Sequence, residues 1–308
     1  MIKKVLIVVG VSIALLGGLL AFLDKVPLML GVTSKSIVYN ESSANFDFVN
    51  TNNSGNDANT VLYIKGDNDH NATAFHDYSA NAHAITANAD VKHVGTFRLA
   101  STSSIYFDGT GDGLTMADHN DFDITGNFTL EAWTYYNDRP DVNGEVYRIL
   151  ARGDVVANNG DWAWGIGSAA GWPDGVGFRH NFAIKTGGSI NEYTSPVMTE
   201  YDAPVNTWNH WALVRNGADI LYFLNGVLQE TEATATESMS GTTSIYVGAR
   251  LVTAALDEEF KGLMDEVRIS NVARYTANFT PVRNHGGYSF KTTDAGGTTL
   301  IVPYQIER

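Results

Sequence analysis

The sequence predicts an all-β fold in which two antiparallel sheets stack as a sandwich, and three observations carry that prediction. Apolar and polar side chains alternate in several stretches, as in residues 127–136, where Phe128, Leu130, Ala132 and Thr134 take one face and Thr129, Glu131, Trp133 and Tyr135 the other. Asn225-Gly226 sits between two such stretches, and this pair is the preferred type I′ connection of a hairpin. Thirty glycines, with abundant Asn, Asp and Thr, suit short strands joined by tight turns. A chain of 308 residues is long enough for one large sandwich with appendages.

Charge and composition exclude several functions. The net charge of −14 argues against nucleic acid and against anionic lipid surfaces as partners. With no cysteine, disulfides, zinc-thiolate sites and cysteine nucleophiles are ruled out.

Residues 1–33 are expected to form a membrane anchor or signal-anchor. Lys3 and Lys4 precede residues 5–23, nineteen residues without a charge, about the length a helix needs to cross a bilayer. Asp24-Lys25 ends the run and no Ala-x-Ala follows, so an uncleaved transmembrane helix is preferred to a secretory signal, with secretion after cleavage as the alternative. The lysines then lie on the cytoplasmic side, or inside a virion, and the remainder lies outside a single-pass anchor. Gly10, Ala14 and Gly18 recur every fourth residue, a spacing that lets two membrane helices approach as a homo-oligomer. Residues 34–59, rich in Ser, Asn and Thr, read as a polar linker.

The globular domain is placed at residues 60–282. Residues 61–64 open it as a strand, and a polar loop carrying Asp67 follows, without the glycine and terminal glutamate of an EF-hand. Next comes HDYSANAH, residues 76–83. His70, His76, His83 and His93 are read as exposed loop histidines whose spacing makes no zinc set. The GTGDG turn after Asp108 lacks the Lys-Ser/Thr of a phosphate loop. The outer face of residues 127–136 then sets Glu131, Trp133 and Tyr135 in a row. A carboxylate, an indole and a phenol so placed are what a sugar-binding groove uses; the competing reading is packing beneath a long loop.

Residues 154–172 hold Trp162, Trp164 and Trp172 among glycines and asparagines, and Arg179 follows. Aromatic, glycine-rich loops at a sandwich rim are where ligands meet such folds, if the rings are exposed rather than core. Trp162 and Trp172 are the preferred ligand contacts here, with Arg179 beside them. Trp208, His210, Ala212 and Val214 are expected on one face of the next strand, with His210 as a satisfied core histidine. In residues 263–269, Leu263, Asp265, Val267 and Ile269 are expected to share a face. An acid there must be paired, densely hydrogen-bonded or protonated. The tail, residues 283–308, offers one last strand, which Pro303 assigns to an edge.

Taken together, VLYIKGDND at Val61, DYSANAH at Asp77, SIYFDGTGDGL at Ser104, NFTLEAWTYY at Asn127, TWNHWALVRNG at Thr207, LYFLNGVLQ at Leu221, SIYVGAR at Ser244 and FKGLMDEVRISNVARYTANFTP at Phe260 resemble, in order, the laminin-G-like, concanavalin A-like jelly-roll domains of bacterial surface and phage structural proteins. The resemblance spans residues 60 to 281. It implies a two-sheet antiparallel jelly roll, and a cation near the loops in some relatives. Asp265, with Asp77 and Asp67 from earlier loops, is the expected oxygen set for a structural calcium ion. The family holds lectins, enzyme-attached modules and structural domains, so the fold does not choose among them.

The expected function is a non-catalytic, membrane-tethered, extracytoplasmic carbohydrate-binding module of lectin type, for adhesion or recognition. A structural envelope or virion protein using the jelly roll for protein–protein contacts is the alternative. A glycoside hydrolase is a lesser one, because no pair of carboxylates recurs along one strand in the way hydrolysis needs.

Overall fold

In the computed structural model, the structure describes residues 56–99, 102–138, 140, 145–168, 177–198, 201–233 and 237–281, and the strands Ser36–Asn40, Asn45–Val49, Tyr288–Thr293 and Thr299–Tyr304. The described residues form strands, turns and one 3-10 turn, Asn120–Phe122. Two large antiparallel sheets dominate. The first runs, edge to edge, Val227–Ala233, Asp219–Leu224, Asn209–Asn216, Phe128–Tyr135, Lys261–Ser270, Ser104–Asp108 and Lys92–Val94, with Thr60–Ile64 also paired to Lys261–Ser270. The second runs Ser189–Thr194, Phe178–Thr186, Trp162–Ser168, Val146–Arg152, Ile245–Val247, Gly113–Met116 and Ile85–Asn88. Strands distant in sequence lie side by side in both, the crossing connectivity of a jelly roll.

The alternation read from the sequence decides which side chains meet between the sheets. Phe128, Leu130 and Ala132 from the first sheet pack with Trp162, Trp164, Phe178 and Phe182 from the second in one continuous core. The hairpin at Asn225-Gly226 forms as expected, with φ of 50° and 78°.

Asn209–Asn216 keeps its expected faces but turns the Ala212–Val214 face outward, and Lys261–Ser270 departs from its expected faces. In Asn209–Asn216 the residues reaching the main core are Trp211 and Leu213. Ala212 and Val214 instead join Leu221 and Phe223 in a second cluster on the outer face, covered by Ala273, Tyr275 and Phe279. His210 therefore lies on the outer face, opposite Trp133. In Lys261–Ser270 a bulge interrupts the pairing between Asp265 and Arg268, and Glu266 takes a φ of 53°. The inserted residue reverses the alternation: Met264, Val267 and Ile269 all reach the core, while Asp265 pairs with Trp133 on the outer face. Asp265 thus does not share a face with Val267 and Ile269.

Outside the sandwich, Asn45–Val49, Ser36–Asn40, Tyr288–Thr293 and Thr299–Tyr304 form a four-stranded sheet in that order. Two of these strands fall within residues 34–59, where composition reads as a linker. Thr299–Tyr304 takes an edge of that sheet, the position expected of a strand that carries Pro303. The run at residues 5–23 lies outside the described residues, and among those described no helix is long and apolar enough to cross a membrane.

Candidate functional site

The outer face of the first sheet is closed at one end and open at the other. At the closed end, Glu131 stands opposite Arg268 and Ala212. Arg268 reaches its Oε1 with Nε at 2.8 Å and Nη2 at 2.6 Å. The Tyr275 hydroxyl donates to Oε2 at 2.9 Å, and His210 Nε2 lies 3.2 Å from it. Burial opposes the charge on Glu131, but Arg268, His210 and Tyr275 together hold its carboxyl down to about 2. Burial raises the Tyr275 phenol, and the Glu131 charge beside it adds to that rise.

The segment after Ser270 forms the lid over this end. Thr129 Oγ1 donates to the Val272 carbonyl at 2.8 Å and accepts from the Arg274 amide at 3.0 Å. Tyr275 and Phe279 stack with ring centres 3.6 Å apart, and Phe279 meets the His210 ring edge-on. Phe279 N–H donates to the Gly226 carbonyl at 2.9 Å, which ties the lid to the hairpin tip. Trp133, against His210, is buried. Glu131 and Trp133 therefore serve the packing that competed with the sugar groove for them.

At the open end the same face carries Lys92, Tyr106, Leu263 and Tyr135 in register across four strands. Tyr135 and Trp208 are half-buried, with ring centres 5.7 Å apart. Phe97 stacks on Tyr135 at 5.5 Å and is 66 % exposed. Its φ of 58° is a strained value for an aromatic residue, of the kind that clusters at ligand sites. Tyr135 is the member of the predicted row that reaches solvent. Phe97 and Trp208 join it from loops, and sequence reasoning missed both. Trp208, just ahead of a strand paired to Phe128–Tyr135, was legible as an aromatic at that end; Phe97 carries no signal of its own.

The remaining predicted residues are dispersed. Trp162 is wholly buried in the core between the sheets and is not available to a ligand. Trp172 lies outside the described residues. Arg179 is half-buried on Phe178–Thr186, paired with Gly167.

The three aspartates assigned to calcium do not form one donor set. Asp265 Oδ1 accepts from the Gly66 and Glu266 amides at 2.8 and 2.9 Å. Asp77 Oδ1 accepts from the Tyr63 and Ser79 amides, and its Oδ2 from the Ser79 hydroxyl and the His83 amide. Asp67 accepts from the Tyr78 hydroxyl. Among the described residues, the donor groups close enough to share an ion are His83–His119–Asp121 and Asp90–Asp108–Asp112, and none of the three aspartates is in either. Of the three ways expected to satisfy Asp265 (a cation, dense hydrogen bonding or protonation), the described residues show hydrogen bonds from backbone amides.

An acidic cleft of about 620 Å³ lies elsewhere, lined by Asp108, Asp138, Glu145, Asp257, Glu258, Glu259 and Lys261 among others. Beside it Glu258 is clamped by Arg148 Nε at 2.5 Å and Arg250 Nε at 2.8 Å. Tyr147 is the aromatic residue in its lining and is buried, so the cleft offers no exposed ring face of the kind a sugar ring favours.

Residues 108–278 match the family model described as the concanavalin A-like lectin/glucanases superfamily. No curated protein matches the chain. Among solved structures it is similar to the binding domain of Paraclostridial Mosquitocidal Protein 1, with a TM-score of 0.53 and 14% identity over 70% of this chain and 50% of that one. It is also similar to the binding domain of botulinum neurotoxin serotype D/C VPI 5993, with a TM-score of 0.51 and 14% identity over 70% and 50%. A third is botulinum neurotoxin type C, whose cell entry is dependent upon interaction with two ganglioside molecules, with a TM-score of 0.50 and 13% identity over 70% and 49%. The chain spans about half the length of these structures, and at such identities the likeness is one of fold.

Proposed function

The chain belongs to the concanavalin A-like lectin/glucanases superfamily, and on that premise we propose that it is a non-catalytic module that binds a glycan on the platform formed by Phe97, Tyr135 and Trp208. The observation that carries this reading is the grouping of three solvent-reaching aromatic rings at the open end of a sheet face otherwise sealed by its own lid. Aromatic faces take the C–H face of a pyranose, and Lys92 in the same register row supplies a donor for hydroxyls. The two binding domains of similar fold, and the toxin whose cell entry is dependent upon interaction with two ganglioside molecules, lend support. A binding role also agrees with the carboxylates on this face: Glu131 and Asp265 are buried and held by protein donors, so neither is free to protonate or attack a glycosidic bond. Display outside a membrane remains part of the proposal and rests on the uncharged run at residues 5–23.

A glycan array probed with the purified full-length chain tests the reading. Tyr135→Ala and Trp208→Ala are each expected to weaken binding of the captured glycan about tenfold, the loss of roughly 1.4 kcal/mol of stacking. An array on which no glycan is captured, or capture that both variants leave intact, would overturn it. A protein ligand on the same platform is then the reading to pursue.

A further inference from the structure

The loop of residues 76–83 was expected to expose its histidines, yet the His83 side chain is only 8 % exposed and is held in one orientation. Its Nδ1 lies 2.7 Å from Asp77 Oδ2. Asp77 is an acceptor, so Nδ1 carries the proton and the lone pair of the neutral ring is at Nε2. That buried Nε2 has no hydrogen-bond partner. It points at a second carboxylate, with Asp121 Oδ2 3.2 Å away, outside hydrogen-bond geometry. From the other side, Nδ1 of His119 lies 2.9 Å from the same oxygen. His119 caps the 3-10 turn Asn120–Phe122, and its Nδ1 accepts a long hydrogen bond of 3.3 Å from the Asp121 amide, which marks it as the unprotonated nitrogen of the ring; an ion would compete with that amide for its lone pair. Two imidazole nitrogens and a carboxylate oxygen thus converge within 4.8 Å of one another. Electron-rich atoms at such separations repel unless a proton or a metal cation lies among them.

We propose that His83, His119 and Asp121 bind a divalent transition ion of the zinc class, with Asp77 as the positioning residue for His83. Bonds of about 2.0–2.2 Å in a tetrahedron separate ligand atoms by about 3.3–3.5 Å, close to the 2.9 and 3.2 Å seen here before any ion draws the groups into place. The Asp77–His83 bond is the outer carboxylate contact that metal-binding histidines use to fix their tautomer. Two imidazoles and one carboxylate suit zinc, cobalt or nickel; calcium takes six to eight oxygens instead. The Phe122 ring, 4.5 Å from that of His83, walls the site on one side. His119 is 57 % and Asp121 29 % exposed, so the fourth position faces solvent and takes water or a ligand atom.

The test is isothermal titration of zinc chloride into the full-length chain, purified without a histidine tag and stripped with chelator. The wild type is expected to bind one ion per chain. His119→Ala and Asp121→Asn, both at solvent-reaching positions and so compatible with folding, are expected to weaken binding by tenfold or more. Cobalt is expected to give the intense visible absorption of a tetrahedral site in the wild type and in neither variant. No zinc binding by the wild type, or binding that both folded variants retain, would overturn the proposal. Because the platform lies on other residues, loss of zinc binding and loss of glycan binding are separable results.

Discussion

Replacing Glu131 by Gln removes one charge from a buried pair and keeps the side chain's shape. The structure sets the magnitude. The Glu131 carboxyl ionises near 2 in the fold against 4.5 for a free side chain. At about 1.4 kcal/mol per pH decade, that difference contributes about 3 kcal/mol of stability at neutral pH. The cost of stranding a buried guanidinium, about 3–5 kcal/mol, points to the same size. The sign follows from the lowered value: the unfolded chain binds the proton more tightly, so the contribution is complete above pH 4.5 and is lost as pH falls through 2. Urea denaturation of wild type and Glu131→Gln at intervals from pH 7 to pH 2.5 measures it. The gap is expected to be about 3 kcal/mol at pH 7 and to close progressively below pH 4.5. A gap below about 1 kcal/mol at pH 7, the size of an exposed pair, would refute the reasoning. So would a gap that acid leaves unchanged.

Two further outcomes bear on the architecture. Gly226→Ala is expected to destabilise by more than about 1 kcal/mol, because φ is +78° and an added Cβ would meet the Phe279 carbonyl at 2.0 Å; faster proteolysis near residues 275–279, measured by mass spectrometry, is the companion readout. Trp162→Ala is expected to cost about 3–5 kcal/mol in a denaturant melt while glycan capture by the molecules still folded stays unchanged, since the ring is sealed in the core. Selective loss of capture with stability intact would restore Trp162 as a ligand contact.

The fold was legible because a sandwich writes its two faces into a period of two. Residues 128–135 and the Asn225-Gly226 turn suffice to place a central strand and a hairpin, and the core members Phe128, Leu130 and Ala132 follow directly. The places where that reading failed share one cause: a sequence period cannot register an extra residue or a covering segment. The bulge at Asp265–Arg268 moved an acid from the expected core face to the outer one. The segment carrying Tyr275 and Phe279 turned one half of an outer face into a second core, and with it changed Glu131 and Trp133 from groove residues to buried ones.

The candidate sites were less legible still. Phe97, Tyr135 and Trp208 come from three separate stretches, and His83, His119 and Asp121 join two loops 36 residues apart at their nearest members, 119 − 83. Sequence alone determined that the chain is acidic, cysteine-free and built of antiparallel strands, because charge, composition and alternation are local properties. Only the tertiary structure decided which aromatic rings reach water and which lone pairs face one another. Both depend on what packs across a surface, and no neighbour along the chain specifies that.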